Sequence, residues 1–89
     1  MIRITMITET DEEVVLKVEG WIEGESVSLL KAEGERYFQQ TKRLELDLTG
    51  VQFIDNAGIE LLKHWRGEGL VLRKVSRLVQ VLLETYGVV

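Results

Sequence analysis

The chain has 89 residues, a net charge of −4 and no cysteine. A domain of that length buries about 60–65% of its unfolded surface, enough for one sheet and a few helices but not for an enclosed multi-substrate cleft. Without thiols there are no disulfides, no thiolate chemistry and no cysteine-ligated metals. The interspersed acidic and basic residues offer no basic face for nucleic acid.

Apolar residues make up 45% of the chain, an ordinary globular share, so folding is expected. No apolar run approaches the length of a membrane span. The start Met1-Ile2-Arg3-Ile4-Thr5 alternates and lacks the apolar core of a signal peptide. The expected location is therefore the cytoplasm, with no membrane insertion. The densest basic stretch, Arg73-Lys74-Val75-Ser76-Arg77, is short and flanked by apolar residues; it reads as a solvated edge and a helix start.

Ile2, Ile4 and Met6 alternate with Arg3 and Thr5, which predicts a strand with one face buried. Glu9-Thr10-Asp11-Glu12 is a polar turn. Val14 to Glu19 reads as a second strand, rich in β-branched residues, and so short a turn predicts an antiparallel hairpin. Gly20-Trp21-Ile22-Glu23-Gly24 is expected to be a loop whose glycines are free to take positive φ. A helix follows from about 25 to 39, with Val27, Leu30, Tyr37 and Phe38 on one side and Leu29 and Ala32 widening the stripe. Gly34 costs about 1 kcal/mol relative to alanine inside a helix; because it falls on the apolar side, it is read as a point of close packing against the sheet.

Leu44 to Leu48 is the third strand. Phe53 and Ile54 lead to a loop in which Asp55 is placed to cap a helix running from about 56 to 65. Gly58, Leu61, Leu62 and Trp65 share one face of that helix. Gly67-Glu68-Gly69 breaks it, and Leu70 to Leu72 forms a fourth strand. Ser76 is placed to cap a last helix, with Leu78, Val79, Leu82, Leu83 and Tyr86 as its apolar side and Gly87 at its end. The expected class is α/β: a small mixed sheet of about four strands, opened by the hairpin and continued β-α-β-α-β-α with parallel, right-handed crossovers. Nothing divides residues 1–89, so one domain is expected.

His64 is the only histidine. It shares a helix side with Glu60 rather than with Leu61 and Trp65, and no second histidine or cysteine completes a zinc site. It reads as a surface residue. Asp47 and Asp55 flank one loop; paired carboxylates can do acid–base work or hold a cation. The preferred reading is structural, with Asp55 as a cap and Asp47 accepting from loop amides. The amides of Asn56, Ala57 and Gly58 at a helix start could hold an anion, but an ionised Asp55 competes for them, and no phosphate-binding glycine fingerprint is present. No catalytic residue, metal site or cofactor is expected. Among the aromatics core packing is the default; Trp21, between glycines, is the candidate for an exposed interface anchor.

The run from Leu44 to Leu62 resembles the signature of the STAS domain, the sulfate transporter and anti-sigma factor antagonist family. There a strand ending Asp-Leu-Ser leads to a loop of the form Asp-Ser-Ser/Ala-Gly-Leu, and the first loop serine is the regulatory phosphorylation site in many members. The resemblance extends to the opening hairpin, to Gly20-Trp21-Ile22-Glu23 and to the closing strand and helix from Leu72. It implies a stand-alone bacterial, non-enzymatic protein-interaction module in signalling or transcription regulation. Its partner would be an anti-sigma-factor kinase or a transporter or signalling subunit, docked through the Glu23 and Asp55–Gly58 loops. The implied partner-binding residues are Trp21, Glu23, Asp55, Asn56, Ala57 and Gly58. Asn56 holds the serine position and cannot accept phosphate, so the docking form is expected to be permanent; Thr49 and Ser76 are the hydroxyls left open for modification. The alternatives are a nucleotide or lipid sensor with a pocket under Trp21, or an accessory subunit of a transporter. Oligomeric state stays open.

Overall fold

A computed structural model describes residues 1–88. Its elements are β1 (Ile2–Glu9), β2 (Glu13–Ile22), α1 (Glu25–Gln39), β3 (Arg43–Ile54), α2 (Asn56–Gly67), β4 (Val71–Val75) and α3 (Arg77–Thr85). The sheet order is β1-β2-β3-β4. β1 and β2 are antiparallel, while β2, β3 and β4 run parallel, as helix crossovers require. The hairpin turn is made locally: the Thr10 hydroxyl accepts from the amides of Glu12 and Glu13.

Val14 faces Leu44 and Leu16 faces Leu46 across the central parallel pair. With Val18, Leu48, Val51 and Ile54 they form the sheet half of one buried cluster. Leu30 and Tyr37 of α1, Ile59, Leu62 and Trp65 of α2, and Val79 and Leu83 of α3 complete it. Each such side chain, fully buried, contributes about 1.5–3 kcal/mol. The other sheet face is polar along its middle, where Lys17, Asp47 and Lys74 stand side by side on adjacent strands.

Trp65 is 1% exposed. A Cβ on Gly34 would lie 2.3 Å from its ring, so the close packing expected at Gly34 is helix against helix rather than helix against sheet. The Trp65 indole N–H has no acceptor among the described residues, a cost of about 1–3 kcal/mol set against burial of the whole ring.

Several expectations need correction. β2 does not stop at Glu19. Gly20, with φ +100, absorbs a register shift, and Trp21 still pairs with Phe53 and Ile22 with Ile54. Trp21 therefore ends a strand instead of sitting in a loop. β3 likewise runs on through Thr49 and Gly50 to Ile54. α2 reaches Gly67, and the break falls at Gly69, with φ +98. In α1 the buried line is Ser26, Leu30, Gly34 and Tyr37, which leaves Leu29 62% exposed and Ala32 outside. In α3 Leu78 is 59% exposed, and Tyr86, the residue that follows the helix, is 49% exposed, whereas Val79 and Leu83 are at 0%. A helix this short presents one i, i+4 line to the sheet, and Leu78 is turned about 100° from it. Among the described residues no helix is long and apolar enough to cross a membrane.

Candidate partner-binding site

β2 and β3 end side by side, so the turns that lead into α1 and α2 leave the sheet at one edge. Asp55 joins them. Its amide donates to the carbonyl of Ile22 at 3.0 Å. Its Oδ1 accepts from the Gly58 amide at 2.8 Å, capping α2 as expected, and its Oδ2 accepts from the Gly24 amide at 3.1 Å. Gly24 is the N-cap of α1 and has no side chain of its own to cap with. One carboxylate thus satisfies an orphan amide at the start of each helix.

Gly58 is buried where a Cβ would come within 2.7 Å of Ile54 and 2.9 Å of Ile22; the missing side chain lets the first turn of α2 sit on the strand ends. Asn56 and Ala57, one turn out, are exposed, and Glu23 is half-buried beside Gly24. Trp21 is 48% exposed. Because Ile22 points into the core, Trp21 points to the open sheet face. There its Nε1 donates to Gln52 Oε1 at 3.0 Å, and its ring meets that of Phe53 at 5.7 Å between centroids. The structure thus brings Glu23, Asp55, Asn56 and Ala57 to one edge, places Gly58 beneath them and sets Trp21 on the adjoining face. Gln52 and Phe53 join Trp21 unforeseen. Strict alternation back from Ile54 would have put Phe53 outside the core, but an aromatic between Val51 and Ile54 reads as buried.

Asp47 does not share this edge. Its carboxylate accepts from the Thr49 amide at 3.0 Å and from the Thr49 hydroxyl at 2.5 Å. Those bonds first, then the nearby Lys17 and Lys74, hold its carboxyl below the usual aspartate range. The Ser76 hydroxyl donates to the carbonyl of Val51 at 2.9 Å and does not cap α3. Both hydroxyls left open for modification are therefore committed to internal bonds. His64 is exposed, 3.6 Å from Glu68. No group of three or more metal-ligating side chains occurs among the described residues.

The family described as Mlab, STAS domain matches residues 5–89. The chain belongs to the STAS family. Three solved structures share the fold. The unphosphorylated form of the anti-sigma factor antagonist SpoIIAA superposes with a TM-score of 0.80 at 19% identity, covering 97% of this chain and 82% of its own. An anti-sigma factor antagonist from Mycobacterium paratuberculosis gives 0.79 at 19% identity, covering 98% and 79%. The STAS domain of an antisigma-factor antagonist from Rhodobacter sphaeroides gives 0.61 at 24% identity, covering 83% and 85%. Comparison with curated proteins returns no significant match. Asn56, whose side chain is an amide, follows the capping Asp55 at the start of α2.

Proposed function

We propose that the chain acts as one non-enzymatic protein-interaction module that docks a regulatory protein at the edge formed by Glu23 and the Asp55–Gly58 loop. Trp21 and its aromatic neighbour Phe53 extend that surface. The observation that carries this reading is the double engagement of Asp55 with Gly24 and Gly58. It fixes two loops from distant parts of the chain as one preformed surface, which lowers the ordering cost of binding. Loops held on a rigid scaffold are where recognition concentrates.

Asn56 sits exposed on that surface and offers no hydroxyl for phosphate. A phosphate there would add a charge of about −1.5 to −2 beside Asp55; asparagine adds no charge at that position and keeps the edge permanently competent to dock. The membership of the chain in the STAS family and its likeness in fold to anti-sigma factor antagonists support a regulatory protein partner. The test is affinity capture with quantitative mass spectrometry, comparing the parent chain with Asp55→Ala. A partner held by the parent and lost from the folded variant supports the reading. Equal capture by both means that the joined loops are not the docking surface.

A further inference from the structure

We infer that the outer side of α3 is a self-association surface, which takes the same surface of a second copy of the chain with the two helices running antiparallel. The inference goes beyond the docking edge and does not depend on it. α3 buries one line, Val79 and Leu83, against the sheet. A surface helix normally turns polar residues away from such a line. Here the outward side carries exposed Leu78 and Val81, half-buried Leu82, and exposed Tyr86 just past the end. Leu78, Leu82 and Tyr86 follow one another at i, i+4, and Val81 adjoins Leu78 at i+3, so the four form one strip. Thr85 falls in the same strip, and its hydroxyl donates to the Val81 carbonyl at 2.8 Å. Single exposed apolar residues are ordinary, whereas a continuous strip marks a contact surface.

The charges decide what covers it. Arg77 opens α3 and Glu84 lies in its last turn, both exposed. The helix dipole favours the reverse, an acid at the start and a base at the end, and Ser76 supplies no side-chain cap to offset this. Seven residues apart, Arg77 and Glu84 stand on one flank of the strip about 10 Å apart along the axis, too far to pair with each other.

Laid antiparallel, Arg77 of each copy meets Glu84 of the other, so the pair forms twice about a two-fold axis. Each helix start then receives a carboxylate and each helix end a cation, which corrects the mismatch with the dipole. The same offset sets Leu78 of one copy against Val81 of the other and brings the two Leu82 side chains together. A parallel pair would set Arg77 on Arg77. Complementarity under reversal is what a two-fold dimer requires and what a foreign partner does not. A nine-residue helix covers less than a standard interface, so the dimer is weak, with a Kd of about 10 μM to 1 mM.

The test is sedimentation equilibrium of the chain across that concentration range, with circular dichroism to show that each variant is folded. The parent should pass from monomer to dimer, and Val81→Ser should stay monomeric. Arg77→Glu and Glu84→Arg each place the charge that the dipole favours, so both should fold, yet each should dimerise about tenfold more weakly. The double variant Arg77→Glu/Glu84→Arg should regain the parent's affinity, as should an equimolar mixture of the two single variants. A parent that stays monomeric throughout, or a dimer that none of these variants weakens, overturns the inference. So does a double variant that dimerises no better than the single ones, since only the antiparallel pair is restored by the exchange. Each of these outcomes leaves the docking edge untouched.

Discussion

Asp55 serves two loops with two oxygens, so truncating it should cost more than an ordinary cap. Loss of a cap costs about 0.5–2 kcal/mol, and freeing the Gly24 amide adds about 1 kcal/mol. Asp55→Ala is expected to lose about 2 kcal/mol in urea unfolding; a loss within about 0.5 kcal/mol, the range of a neutral surface change, would show that the two bonds do not hold the loops. At Asp47 the sign of the pH effect follows from the lowered carboxyl. The folded state favours the ionised form, so the contribution is full above the unfolded value near pH 4 and fades as pH falls through the lower folded value. Asp47→Asn should cost about 1 kcal/mol at neutral pH, and the gap to the parent should close on acidification below about pH 4; a gap independent of pH would assign the loss to packing. The capping half of Asp55 was legible in the sequence, because an aspartate before an apolar-periodic run is a local signal. Its second bond, to Gly24, was not: it depends on β2 and β3 ending together, a fact of tertiary pairing. The loss of Ser76 as a cap has the same cause, since its hydroxyl finds Val51 across the sheet.

Gly34 sets two effects against each other at the scale of the helix. Alanine would gain about 1 kcal/mol of helix propensity, yet its Cβ would stand 2.3 Å from the buried Trp65 ring. Overpacking a rigid ring costs about 1–3 kcal/mol, so Gly34→Ala is expected to lower the thermal midpoint; a raised midpoint would show that α1 and α2 separate freely. Leu62, at 0% exposure, should cost about 2–5 kcal/mol as alanine, and a loss below about 1 kcal/mol would mean that the inward face of α2 is assigned wrongly. The helices and the hairpin were readable because long periodic runs with caps carry their own signal. The end of β2 was not, because Gly20 looks like a breaker and acts as a bulge. The outward turn of Leu78 and Tyr86 was hidden for a different reason: α3 is apolar on most of its circumference, and composition alone does not choose which side meets the sheet.

For the whole molecule, the sheet leaves open one face that is polar along its middle and gathers the Glu23 and Asp55–Gly58 turns at one edge. The chain order of the elements, the opening hairpin and the STAS loop were legible in the sequence, while the order of strands across the sheet and the aromatic neighbour Phe53 emerged only once β2 and β3 were paired. A chain with Asn56 on that edge should take up no phosphate there when incubated with ATP and a kinase active on STAS serines. Phosphate located by tandem mass spectrometry on Thr49 or Ser76, with a matching change in partner affinity, would restore a switch by another route. The central claim, docking at the edge that Asp55 joins, is tested most directly by calorimetric titration of the captured partner into Asn56→Asp. That variant places a second carboxylate where phosphate would sit, at a helix start whose dipole tolerates it, so the fold should survive. Binding is predicted to weaken by about 1–3 kcal/mol as the loop is desolvated against the partner. Unchanged affinity in the folded variant would contradict the account and move the docking surface elsewhere.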